Sequence, residues 1–540
     1  MKEFITDILL KTNNSKYKMQ NLKLQLKNQK LLNRQAKYIF FVDHLRDNLR
    51  VLVSNFLALR NNKKYIREPL IIFILLLIIF LRFWRVGELF YFGIDEEYQS
   101  LLALSIIKDF HIIWIGLAAA NTGFYLGPGL VYVHSLLLWI SRLDPLILAY
   151  AASFIGLINA MVLFLISGKL FSKKTALIAT CIYSFSFFVA SYDRRFWNST
   201  FVPLIAMLFY YAYVRFRTDI RWLIAITALL GLSFHIHASL FIYIPISLVI
   251  IIKYLKKLIA AGSSKFQLIS IILLSIISFL VFYSPLIIFD YVHNYDNLKT
   301  PLRMLQGMNQ SNEGVLLLSH FDIFSKVNSQ FFNIALNIKI VEYVLALFVL
   351  AIILYFLISK QTREKYFILF TIVLFYLIMF FFYPGKMLEY YYLGFLPFMS
   401  LVLAYYLTRI KGLIVSFLLF ALAAVSVYRQ IILPVNNGLK AKKTLIKKTV
   451  AVLGDNDFYL NTSHEYLYFG GWRYLFEAYG KKPGQSQADQ MFGWIYNKEI
   501  STDKPGLEVI ISQNQLKGNK FRLVAREGSY YAYIIDKTDK

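Results

Sequence analysis

Cysteine is almost absent: Cys181 is the single one in 540 residues. No internal disulfide can form, and no CxxC metal or redox motif exists. Cys181 sits in an apolar run, where plain packing accounts for it. Acid is scarce too, with 31 Asp and Glu against 58 Lys and Arg and a formal charge of +27. Such an excess points to anionic partners. Anionic lipid headgroups fit better than nucleic acid, because the cytoplasmic flanks of membrane helices collect Lys and Arg. There is no P-loop or Rossmann glycine pattern and no internal repeat. A cleavable signal peptide is not expected, because the N-terminal segment is polar and basic.

What the chain has in plenty is apolar length. It is 58% hydrophobic, with mean hydropathy +0.54, whereas soluble domains are closer to about half apolar. Runs such as PLIIFILLLIIFL (Pro69–Leu81) and LLSIISFLVFYSPLIIF (Leu273–Phe289) suit a bilayer core of about 30 Å. The expected fold class is mainly α, a polytopic membrane protein in the cell membrane.

Charge sets the expected topology. Residues 1–68 form a basic extension, expected in the cytoplasm. Its segment Tyr38–Arg60 reads equally as an inner-leaflet amphipathic helix or as a helical hairpin or loosely ordered extension. The connections Gly168–Lys174, Arg215–Arg221, Lys253–Lys257, Ser359–Lys365 and Thr408–Gly412 are basic and therefore cytoplasmic. Run 222–252 has basic connections at both ends, so it must cross an even number of times. It reads as a hairpin with HIHAS (His235–Ser239) at its tip. Run Gly123–Trp139, broken by GPG and His134, is expected to dip into the outer leaflet without crossing. Eleven spans result, with the N-terminus inside and the C-terminus outside. Residues 69–433 form the membrane domain. Residues 434–540, with alternating stretches at Leu507–Ser512 and Ser529–Asp536, read as a small extracytoplasmic α/β domain.

This topology places several polar clusters on the outer side. FGIDEEYQSL (Phe92–Leu101) carries Asp95, Glu96 and Glu97 just after the first span. Carboxylates held at an interface suit a general base or a metal ligand, and a solvated acidic loop is the plain alternative. SYDRRFWNSTFVP (Ser191–Pro203) sets Arg194 and Arg195 against the cytoplasmic bias. They read as an anion clamp or as snorkelling headgroup contacts, with Trp197 and Asn198 placed to orient a sugar. His235 suits a substrate contact better than a metal pair. YPGKMLEYYYLGFLP (Tyr383–Pro397) brings Lys386, Glu389 and Tyr390 between two late spans, as binding groups or as interfacial belt residues.

The order of these parts resembles the multi-spanning C-class glycosyltransferases that use lipid-linked sugars. The nearest families are the protein O-mannosyltransferases and the aminoarabinose transferases of lipid A. The resemblance spans residues 69–433. It rests on Asp95-Glu96 after the first span, YLGPGLVYV before a dipping helix, the arginine loop, LGLSFHIHASLFIYIP, PLIIFDYVHNYDN and LEYYYLGFLP. Two departures stand out. Asn198 occupies the place where many relatives carry a second Asp, and a single Pro128 replaces a proline pair. The WWD-type signature of oligosaccharyltransferases is missing. The resemblance implies a polyprenyl-phosphate-sugar donor, an unidentified protein, lipid or glycan acceptor, and single displacement with inversion. Asp95 would be the base and Glu96 would orient the acceptor or sugar. Arg194 or Arg195, with Lys386, would balance the leaving phosphate. Asn198, His235, Glu389 and Tyr390 would contact substrate. A divalent metal is compatible with these residues and not required by them. A transporter or flippase is the rival reading, though its charges would sit nearer the membrane midplane.

Overall fold

Helix α1 (Glu68–Phe83) is built from Leu, Ile and Phe and stops where Arg85 takes a left-handed backbone conformation, φ 56°. The computed structural model describes residues 68–118, 123–260, 265–307, 313–334, 338–383, 385 and 387–537. Residues 1–67 of the basic extension and Lys386 lie outside the described residues. The chain divides into two compact units, residues 1–73 and 74–540. The following concerns the second.

After α1 come α2 (Ile94–Asp109), α3 (Gly129–Ile140) and α4 (Leu146–Leu170). Next are α5 (Lys173–Ser184) and α6 (Phe187–Tyr192), whose starts are capped by Ser172 and Ser186 hydroxyls accepting from Thr175 N–H and Val189 N–H. Then follow α7 (Val202–Phe216), α8 (Trp222–Ile236), α9 (Tyr243–Ala260), α10 (Lys265–Val292), α11 (Asp296–Gly307) and α12 (Glu313–Phe331). The last helices of the bundle are α13 (Lys339–Ile358), α14 (Phe367–Phe382), α15 (Leu396–Leu407) and α16 (Gly412–Ile432). Among the described residues six helical segments are long and apolar enough to cross a membrane, and five shorter apolar helices accompany them. One of the five, α3, has 12 residues and reaches about 18 Å, too short to cross. The eleven spans expected thus stand against six helices of full crossing length among the described residues. The run 222–252 is two helices joined by a 3₁₀ turn, Ala238–Ile242.

Contacts define the two ends. At one, Gln430 Nε2 donates to Trp84 O, Asn198 Nδ2 to Ile236 O, and the His237 ring meets that of Tyr390. At the other, Lys174 Nζ donates to Thr408 O, Phe171 stacks on Tyr366 at 4.4 Å, and Lys253 sits over Phe367. The second end carries the basic turns.

Beyond α16 the chain forms α17 (Leu439–Leu453), β1 (Phe458–Thr462), α18 (Trp472–Tyr479), β2 (Gln485–Ser486), β3 (Leu507–Ser512), β4 (Arg522–Glu527) and β5 (Tyr530–Asp536). The sheet order is β2-β1-β3-β5-β4. Strand β1 is parallel to β2 and β3, while β3–β5 and β4–β5 are antiparallel, with Val509 opposite Leu460 and Ile534. Both strands expected from alternation are present as β3 and β5.

The bundle core is aromatic, with Phe209 stacked on Tyr243 at 4.3 Å and Phe380 on Tyr392 at 3.9 Å. A second core joins Phe92 and Leu101 of the α2 region and Leu148 of α4 to Leu445, Leu475 and Val509 of the C-terminal lobe. That lobe is thus packed onto α2 by continuous apolar burial, the main force favouring association.

Candidate functional site

The site grows from the start of α2. Gly93 precedes the helix, and its free N–H is taken by Glu96 Oε2 at 3.0 Å, a side-chain cap of the first turn. The same carboxylate receives Arg195, Nε to Oε1 at 3.0 Å and Nη2 to Oε2 at 3.3 Å. Glu96 is wholly buried, so this two-pronged pair is what makes a carboxylate tenable there. The Arg195 guanidinium also lies 4.3 Å from the Trp197 ring centroid, and Trp197 meets Tyr390 at 4.9 Å.

Asp95, the neighbour of Glu96, is only partly buried and has no hydrogen-bond partner among the described residues. Burial pushes its pKa up to about 6, and the Glu96 charge adds to this while Arg195 opposes it. Such a carboxylate is charged at neutral pH and a stronger base than an ordinary aspartate.

Arg195 opens onto a cavity of about 400 Å³ that Tyr192, Gln330, Glu389 and Arg429 also line. Gln330 Oε1 is buried there without a protein partner. Lys326 on α12 binds Glu389 at 2.6 Å. Two guanidiniums from distant parts of the chain, Arg195 and Arg429, thus share one cavity and suit an anion. Gln330, Lys326 and Arg429 were not among the residues expected from sequence. Each lies on a helix whose facing is settled only by packing.

The other expected residues are spread differently. Arg194 turns away from the cavity: its Nη1 donates to Leu81 O at 3.1 Å and to Gln430 Oε1 at 2.8 Å, tying α1 to α16. Its neighbour Asp193 binds Arg82 at 2.8 Å. Asn198 is fully engaged, its Oδ1 accepting from Gln99 Nε2 and its Nδ2 donating to Ile236 O, both at 2.8 Å. His235 differs from its expected substrate contact, because both ring nitrogens are occupied. Nδ1 accepts from Gly129 N–H at 3.0 Å and Nε2 bonds to Phe282 O. A Cβ on Gly127 would come within 2.3 Å of the His235 ring, which explains the glycine in the GPG break. Tyr390 and Glu389 do reach the site. Among the described residues no group of three or more His, Cys, Asp or Glu side chains converges as a metal-binding set.

The third acid points elsewhere. Glu97 is buried and its Oε1 accepts from the Tyr474 N–H at 3.1 Å, in the first turn of α18. Burial raises its pKa to about 7. Close by, Lys442 of α17 is fully buried, and burial lowers its pKa to about 7. Its ammonium donates to Phe92 O at 2.8 Å and Gly470 O at 2.6 Å and lies 4.2 Å from the Tyr91 ring centroid. Gly471, φ 76°, opens α18 so closely against Phe92 that a Cβ would sit 2.3 Å from its ring. The C-terminal lobe therefore grips both the loop before α2 and its first turn.

No protein-family model matches this chain, and no curated protein matches it in sequence. Its structure is similar to that of ArnT from Cupriavidus metallidurans bound to undecaprenyl phosphate. The TM-score is 0.56 and the identity 11%, over 87% of this chain and 98% of that one. The apo state of the same protein gives 0.57 and 10% over the same shares. Archaeal oligosaccharyltransferase AglB from Archaeoglobus fulgidus, in complex with an inhibitory peptide and a dolichol-phosphate, gives 0.46 and 13%, over 83% of this chain and 69% of that one. At these identities the likeness is one of fold. The chain shares the polytopic membrane fold of ArnT, as its motif order implied.

Proposed function

We propose that this protein is a membrane glycosyltransferase. It moves a sugar from a polyprenyl-phosphate-linked donor to a hydroxyl-bearing acceptor at the Asp95 end of the bundle. The observation that carries the reading is, in an ArnT-like fold, an unpartnered basic carboxylate whose neighbour Glu96 holds an arginine that lines a cavity. Basic turns at the opposite end favour an extracytoplasmic site in the cell membrane.

In the proposed step, the acceptor oxygen bonds to the anomeric carbon as the bond from that carbon to the phosphate oxygen breaks. The electron pair leaves with the phosphate, and Asp95 takes the acceptor proton. Attack opposite the leaving group inverts the anomeric centre. Arg195 and Arg429 meet the charge that grows on the phosphate, and Glu96 holds Arg195 in place. A phosphate leaving group needs no protonation, so one base suffices. Lys386, expected beside the phosphate, lies outside the described residues.

The test is release of polyprenyl phosphate from a panel of polyprenyl-phosphate sugars in proteoliposomes. Wild type should turn over at least one in the presence of a crude acceptor extract, and Asp95→Asn should lose on the order of 10³-fold. Full activity in Asp95→Asn would remove Asp95 from the mechanism.

A further inference from the structure

A second cavity, of about 440 Å³, is lined by the later turns of α2 and faces the C-terminal lobe. Its character is unlike that of the arginine cavity. Lys108 of α2 reaches Glu477 at 2.5 Å and Glu499 at 3.2 Å, while Asp109 and Lys498 bring opposite charges to the same wall without an ion pair among the described residues, so the charges on it nearly cancel. The side chains of Asp109, His111 and Asn497 line it and make no hydrogen bond to the described residues. Trp494 borders it and also borders an adjoining cavity of about 710 Å³.

Trp494 is 61% exposed, so a broad face of its indole is open at the cleft. Its inner face is fixed: the ring packs on Tyr98 with centroids 6.4 Å apart, and Tyr98 packs on Phe492 at 5.6 Å. Tyr98 is one helical turn from Asp95 on α2. A partly buried aromatic row therefore links Trp494 to the turn of α2 that carries Asp95.

The chemistry selects the occupant. Balanced charges disfavour a phosphorylated or strongly ionic ligand, and uncommitted donors and acceptors favour one rich in hydroxyls. An exposed indole face suits a ligand with a ring face of C–H groups, attracted to the negative face of the π system. A pyranose has all three properties. An extended peptide would want a sheet edge, and the wall here is made by the turns at 494–499 instead.

We propose that the cleft beside Trp494 binds a glycan, with one pyranose on the indole, and that this is the acceptor delivered to Asp95. The inference rests on the transferase reading for its role and stands on its own for binding. The two fail separately, because glycan binding needs no donor and donor retention needs no Trp494.

Full-length protein in nanodiscs is titrated with chitotriose, mannotriose and maltotriose, followed by saturation-transfer NMR and tryptophan fluorescence. At least one trisaccharide should bind through its pyranose C–H protons. Asp95→Asn should bind it equally, and Trp494→Phe should keep it within about threefold. Trp494→Ala should lose on the order of tenfold with its melting temperature unchanged. The same trisaccharide bearing an octyl chain identifies the source. Tighter binding means a lipid-borne glycan and equal binding a free or protein-borne one, both in keeping with the proposal. No binding by any of the three sugars, undiminished binding by Trp494→Ala, or Trp494-dependent binding of a Ser/Thr-rich peptide in place of sugar would overturn it.

Discussion

Asp95 has no hydrogen-bond partner among the described residues, while Glu96 beside it accepts three hydrogen bonds, from Gly93 and twice from Arg195. That contrast separates a base from an anchor and gives the pH dependence a sign. Transfer needs Asp95 ionised, so kcat/KM should fall as pH drops through about 6. Arg195 favours the ionised form, so Arg195→Gln should move this acid limb to higher pH and lower kcat by about 10²-fold. Glu96 disfavours it, so Glu96→Gln should move the limb to lower pH. A pH–rate profile of the three proteins checks all these signs. A limb that stays in place in both variants would remove Asp95 as the titrating group. Because the folded pKa of Asp95 lies above its unfolded value, its charge opposes folding at neutral pH, and that cost is relieved progressively as pH falls from about 6 toward 3.8. Asp95→Asn should therefore gain about 2 kcal/mol of stability at neutral pH while losing activity, read by thermal unfolding. The run of three acids was visible in the sequence, but its division of labour was not. Successive residues on a helix point about 100° apart, so Asp95, Glu96 and Glu97 face different neighbours that only the packed chain reveals. His235 shows the same limit, since Gly129 and Phe282, remote in sequence, consume both its nitrogens.

Helix α2 is placed from both sides, by Arg195 of the loop after α6 and by α17 and α18 of the C-terminal lobe. Lys442 is the centre of the second attachment. Lys442→Met would leave the carbonyls of Phe92 and Gly470 buried without a donor and remove the positive charge that acts most strongly on Glu97. A loss of about 3 kcal/mol is expected. Adding Glu97→Gln should restore part of it, because the uncompensated charge goes too, although the carbonyls remain unpaired. Chemical unfolding of the two singles and the double measures this coupling, and strict additivity would mean that Glu97 and Lys442 act independently. At this scale the sequence was most informative. Apolar runs marked the helices of the bundle, the α8–α9 hairpin and the short α3. Alternation marked β3 and β5. The grip of the lobe on α2 was not legible, because a buried lysine and a buried glutamate some 340 positions apart carry no local pattern.

Taken whole, the molecule ties the first turn of α2, where Asp95 lies, to an arginine cavity through the Glu96–Arg195 pair, and lines a charge-balanced aromatic cleft with the later turns of the same helix. A donor that carries phosphate and an acceptor that does not would be sorted by that difference. Arg429 comes from α16, whose sequence reads as an ordinary membrane segment, and Gln330 from α12, and their convergence on Arg195 is a property of the bundle alone. Arg429→Ala should weaken donor retention by on the order of tenfold without shifting the acid limb set by Asp95. The measurement that tests the central claim most directly is native mass spectrometry of gently purified protein, wild type beside Asp95→Asn. The account predicts a bound polyprenyl phosphate or its sugar ester, with the sugar ester enriched on Asp95→Asn. Ordinary phospholipid alone on both proteins, at good occupancy, would contradict it.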